Sequence, residues 1–209
     1  MGNDLLKQYN LSYEAEMYYF QHNSILRECM RPDEDIPSGL AGVDAEDDEN
    51  EWRTKEFALP GGDLPIKTQR VDYVGCTQAV IRSINEYFGG SKIKDKDLND
   101  NVGADFRTLV NNLRKANIIR FSAKEFYKNI HFIGLELKRG HPSVATYHDG
   151  IRDHTVAINK VRMQQKPNSK GTGFKTRTII QVMNPHYSTY KNLSEYDFER
   201  STIRLVIPG

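Results

Sequence analysis

Leu137-Lys138-Arg139-Gly140-His141-Pro142-Ser143-Val144-Ala145-Thr146-Tyr147-His148 is where the chain changes character. Leu137 closes a run of apolar residues at helical spacing, and Gly140 and Pro142 stop it. Ser143–His148 then brings the Val and Thr chemistry that favours strands. Toward the N-terminus the spacing predicts helices. One covers Cys76–Phe88, with Ala79, Val80, Ile84 and Tyr87 on one face and Gly89-Gly90 as its stop. A second covers Asp105–Ala116, with Phe106, Leu109, Val110 and Leu113 inward. A third is expected to begin at Ser122, where Ser122 and Glu125 fit a capping box and Phe126, Ile130, Ile133 and Leu137 form the stripe. Toward the C-terminus strands are predicted at Ser143–His148, His154–Met163, Thr176–Met183 and Thr202–Ile207, with Gln164–Lys175 as a long hairpin loop. Helices first and antiparallel strands second is an α+β order.

The chain has 209 residues, of which 38% are hydrophobic and 27% charged. No apolar run is long enough to span a bilayer, and two cysteines cannot frame a disulfide scaffold. Membrane-spanning, collagen-like and cystine-knot classes are therefore excluded. The formal net charge of +1 conceals a division, because residues 1–62 carry 5 Lys and Arg against 14 Asp and Glu. The rest of the chain is basic by a similar margin. Leu6, Tyr9, Tyr13, Met17 and Phe20 predict an amphipathic helix within the first thirty residues. Pro32 to about Glu51 reads as an acidic linker. The expected organisation is a helical, acidic extension over residues 1–56 and a compact domain over 57–209, the two attracted by opposite charge. No basic segment followed by an apolar stretch opens the chain, so a cytoplasmic start is expected, or export without a signal peptide.

Three residues at element boundaries carry chemistry. Cys76 heads the first domain helix, where the helix dipole favours thiolate. His154 opens a strand, and Asn184 follows the next one in Val182-Met183-Asn184-Pro185. An amide beside an imidazole on neighbouring strands accepts from one ring nitrogen and leaves the other for the thiol. Asp153 is a poorer orienter, because adjacent side chains on a strand face opposite ways.

The order Cys76, His154, Asn184 resembles that of papain-like cysteine peptidases, and most nearly the branch of double-glycine leader peptidases of bacteriocin export and their stand-alone relatives. Tyr87-Phe88-Gly89 after the Cys helix, Gly140-His141-Pro142 entering the first strand, Asn184-Pro185 and Leu193–Phe198 match that branch in order. The resemblance covers about residues 64–207. It implies a helical half bearing the Cys and an antiparallel sheet bearing His and Asn, with Gln69 as oxyanion donor. Here Gln69 stands one residue farther from the Cys than is usual, Thr77 replaces a small residue, and Asn184 stands for the more frequent Asp. The implied activity is hydrolysis of a peptide bond in a peptide or protein substrate, without metal or cofactor. Self-processing at Gly61-Gly62 is a further expectation set against a simple Pro60-Gly61-Gly62 turn at a domain boundary.

A papain-like deamidase or acyltransferase using the same triad, and a non-catalytic binding module, remain open alternatives. Cys29 reads as a packing residue, as do His22, His131, His141, His148 and His186, which are expected in packing or surface roles. His141, His148, Asp149 and Asp153 match no zinc spacing. Lys160, Arg162, Lys166, Lys170, Lys175 and Arg177 form a basic hairpin. It reads as a solvated tip, without the aromatic interleaving expected of a nucleic-acid surface.

Overall fold

A computed structural model describes residues 52–71, 74–167 and 174–209. The N-terminal helix, the acidic linker, Cys29 and Lys170 lie outside the described residues. The described ones belong to a single compact unit, Glu49–Gly209. It is an α+β fold built on one seven-stranded, antiparallel sheet. In chain order the elements are β1 (Arg53–Ala58), α1 (Cys76–Tyr87), α2 (Phe106–Lys115), β2 (Phe121–Phe126), α3 (Ile130–Lys138), β3 (Ser143–His148), β4 (Asp153–Pro167), β5 (Phe174–Met183), β6 (Tyr190–Leu193), α4 (Glu195–Arg200) and β7 (Thr202–Pro208). The sheet runs β2-β7-β3-β4-β5-β6, and β1 adds to β4. Among the described residues no helix is long and apolar enough to cross a membrane.

β4 is the spine. Its first half pairs with β3 (Tyr147 opposite His154) and its second half with β1 (Phe57 opposite Val161), while β5 lies along its other edge. The β1 strand crosses the boundary expected at residues 56/57, so Arg53–Glu56 belong to the folded unit. Its outward charges explain why no strand pattern stands out there: Glu56 binds Lys160 at 3.3 Å and Arg162 at 2.5 Å. The basic hairpin is thereby engaged by β1 and by the residue before it, since Lys166 and Arg177 lie over the Trp52 ring.

The helix expected from Ser122 is corrected. Phe121–Phe126 is a strand with Phe121 and Ala123 buried against the core and paired to β7. Asn129 starts the helix, its side chain accepting from the amides of His131 and Phe132. The short period-2 pattern and the sheet edge of β7 outweighed the local capping signature. The hairpin arms also extend further than expected, to Pro167 and from Phe174.

The sheet carries its helices on a core in which Val80, Ile81, Ile84, Leu64, Ile133, Leu137, Val156 and Ile158 are fully buried. α1 packs on β4, and α3 packs on β1 and β4. α3 comes close because Gly134 has no side chain: a Cβ there would stand 2.7 Å from the Phe57 ring. Gly61-Gly62 follows β1 in a turn closed by the Gly62 amide on Leu59 O, with Gly62 at φ 94°. The pair thus sits inside the unit rather than at its border.

A β-bulge interrupts β4 between Ile158 and Lys160. There the fully buried Asn159 accepts from the Leu64 amide at 2.7 Å and donates to Asp63 Oδ1 and Gln181 Oε1 at 2.9 and 3.0 Å. It ties the segment running toward Gln69 to the spine. Asn159→Ala leaves a buried amide without an acceptor and is expected to cost about 2–3 kcal/mol in urea unfolding of the full chain. An unchanged midpoint would mean that this side chain anchors nothing.

Candidate active site

α1 begins at Cys76 because Gly75 adopts a left-handed conformation, φ 88°, just before it. A side chain at 75 would be strained and would also meet Asp100 O at 3.3 Å. Glycine offers no side-chain cap, so the first-turn amides are not satisfied in that way. Cys76 itself is 9% exposed and His154 2%. The loop before α2 is pinned to this helix start by two buried side chains. Gln78 Nε2 donates to Asn99 O and Val102 O at 2.7 and 2.8 Å, and the Thr77 hydroxyl donates to Ala104 O at 2.9 Å.

Thr77 also ties α1 to the sheet. Its hydroxyl lies 3.3 Å from that of Thr155, which lies 3.4 Å from that of Thr146. The residue after Cys76 therefore touches the residue after His154. This gives a physical reason for threonine at a position where a smaller residue would break the chain of hydroxyls from α1 to β4 and β3.

The β4–β5 pairing sets Ala157 opposite Met183 and brings Asn184, at the end of β5, to the His154 ring. His154 Nε2 and the His186 amide both lie 3.0 Å from Asn184 Oδ1. A backbone N–H can only donate, so the atom between them is the carbonyl oxygen. His154 Nε2 must then carry the proton. Nδ1 is left with its lone pair, buried and without a hydrogen-bond partner among the described residues, the Cys76 thiol included. The ring is held on both sides, edge-on by Tyr147 at 5.6 Å and face-on by His186 at 4.6 Å. Burial pushes the His154 pKa below its ordinary value, while the bond to Asn184 works in the opposite direction.

Gln69 approaches the same place. Its amide donates to Pro185 O at 2.9 Å, beside Asn184. Its side-chain Nε2 and Oε1 are both buried without a hydrogen-bond partner. Asp153 points away and faces His148 at 3.4 Å, as strand alternation requires. Among the described residues no group of His, Cys, Asp and Glu could hold a metal ion. A cavity of about 470 Å³, lined by Arg70, Val71, Asp95 and Asn99–Asn101, lies beside Gly75. The larger one, about 740 Å³, is built around Arg114, Arg120 and Gly209 and shares no residue with this site. The sequence of this chain matches no known family model and no curated protein.

The structure brings His154 and Asn184 into contact and Gln69 beside them through Pro185, while Cys76 heads α1, whose next residue, Thr77, meets Thr155 of β4. His186, expected in a packing or surface role, is exposed and stacks on His154, whereas sequence reasoning passed over Thr77 as a bridge. It also gave no role to Arg152, whose Nη2 donates to His186 Nε2 at 2.8 Å. The only sequence signals for His186 and Arg152 were their places two residues from Asn184 and from His154.

A lowered histidine pKa makes stability depend on pH. Above about pH 6.5 the ring is neutral in both folded and unfolded chains. As pH falls through that value the unfolded chain takes up the proton first, so stability is lost until the lower, folded-state pKa is passed. Urea unfolding between pH 7 and 5 should show a shallower loss for His154→Gln than for the natural chain. Parallel curves would contradict a buried, neutral His154.

Proposed function

We propose that this chain is a thiol peptidase with a papain-like arrangement, using Cys76 as nucleophile, His154 as base, Asn184 as its orienter and Gln69 as oxyanion donor. The observation that supports it most is the tautomer of His154. Its one proton is spent on Asn184, and Nδ1 keeps a buried lone pair that no described group occupies, on the strand that α1 meets through Thr77 and Thr155. A general base needs such a nitrogen, and apo geometry in such sites is commonly looser than in the substrate complex.

The reaction runs by acyl transfer. As Cys76 Sγ attacks the scissile carbonyl, its proton passes to His154 Nδ1, and the carbonyl π electrons move to oxygen. The Gln69 side-chain amide and the Cys76 backbone amide donate to that oxyanion, which gives Gln69 Nε2 the acceptor it lacks at rest. His154 then protonates the departing amine, leaving a thioester. Water attacks it with His154 again as base, releasing the acid and restoring the thiol. Asn184 adds no charge; it keeps the imidazole turned and stabilises the transient imidazolium. The substrate in this reading is a peptide or protein segment that reaches the Gly75–Cys76 edge of α1.

A defined peptide library incubated with the full chain tests this by counting new amine termini and released ammonia. New termini are expected, abolished by Cys76→Ala and His154→Ala. Gln69→Ala is expected to lower kcat/KM by about 10²-fold or more, as loss of one oxyanion donor does. Ammonia without new termini would move the reaction to deamidation, and activity surviving both knockouts would end the proposal.

A further inference from the structure

His186 is the residue whose placement the reaction above leaves unexplained. It stacks on His154 with ring centroids 4.6 Å apart and planes at 29°. Its own amide shares the Asn184 oxygen with His154. Arg152 Nη2 donates to its Nε2 at 2.8 Å. A guanidinium can only donate, so His186 accepts there, and a neutral ring must carry its proton on Nδ1. To gain a second proton it would have to give up that bond and place a cation against Arg152.

Arg152 is itself held. Asp149 Oδ1 accepts from the amides of Ile151 and Arg152 at 2.9 and 3.0 Å, and Asp149 Oδ2 lies 3.9 Å from Arg152 Nε. This closed turn between β3 and β4 sets the guanidinium over the loop after β5. The side chain is only 19% exposed. Such enclosure is costly for a cation and marks a built contact rather than a trailing surface arginine.

We propose that His186 and Arg152 are positioning residues: a His186 ring locked by Arg152 buttresses the His154 imidazole in the orientation that leaves Nδ1 for the Cys76 thiol. The inference rests on Cys76 and His154 being the reacting pair. Without the buttress, the imidazole retains Tyr147 at its edge and Asn184 at Nε2 but loses the surface that resists rotation about its side-chain bonds. A base that samples several ring orientations spends less time aligned with the thiol. Arg152 acts chiefly one step further out, through His186, besides the direct repulsion of its charge on a protonated His154.

The test is site-resolved alkylation of Cys76 by iodoacetamide at neutral pH in the full chain, read by mass spectrometry of the Cys76 peptide. It needs no substrate. His154→Ala first checks the underlying pair: it should slow labelling, and an unchanged rate would sink the peptidase reading itself. His186→Ala should slow labelling by roughly tenfold. His186→Phe keeps a flat ring but loses the bond to Arg152, and should label faster than His186→Ala and about as fast as Arg152→Met, which a purely structural loss would not. Arg152→Met should slow labelling in the natural background and have little effect in the His186→Phe background. If His154→Ala is slow while His186→Ala labels like the natural chain, the buttress is overturned and the peptidase reading stands. Equal damage from His186→Ala and His186→Phe, or an Arg152→Met effect that persists beside His186→Phe, would overturn it as well.

Discussion

One carbonyl oxygen, Asn184 Oδ1, governs the site. It accepts from a backbone amide that has no alternative role and from an imidazole that does, and the first fixes the identity of the second. Everything upstream serves to bring that oxygen to His154. The pairing of β4 with β5 sets their register, and the hydroxyl contact of Thr77 with Thr155 sets α1 against the same strand. A one-residue slip of β5 would turn Asn184 to the other face and leave His154 with both nitrogens unpaired in a buried place.

The arrangement carries unfavourable terms that a stable core has to offset. A buried imidazole loses hydration, and its Nδ1 finds no partner at rest. The Gln69 amide is likewise enclosed and unpaired. Each such group costs on the order of 1–3 kcal/mol. Sites that act on substrates concentrate costs of this kind, because a donor already satisfied by the protein has less to offer a developing charge. The fully buried apolar residues of α1, β3 and β4, among them Val80, Ile84, Val144 and Val156, belong to that core.

Much of the fold could be read from local chemistry. The stripes of α1 and α2 and the Val, Ile and Thr runs of β3, β4, β5 and β7 all gave their elements within a few residues. β2 failed because Ser122 and Glu125 mimic a capping box while the strand's evidence, Phe121 and Ala123 alternating, spans too few residues to compete. β1 was hidden by its outward charges, which make sense only once Lys160 and Arg162 stand opposite Glu56. Cys76, His154 and Asn184 were visible because each sits where one element meets another. His186 and Arg152 were not, since their meaning lies in contacts across 34 residues of chain that no local pattern encodes.

The most direct test of this account is the protonation of the two ring nitrogens of His154, read by NMR in ¹⁵N-labelled full-length protein at neutral pH. The account requires a proton on Nε2, hydrogen-bonded to Asn184, and a bare Nδ1. His154→Gln assigns the signal, and Asn184→Ala should disturb it. A proton on Nδ1 with Nε2 bare would contradict it, since the nitrogen assigned to the thiol would then have no lone pair to receive its proton.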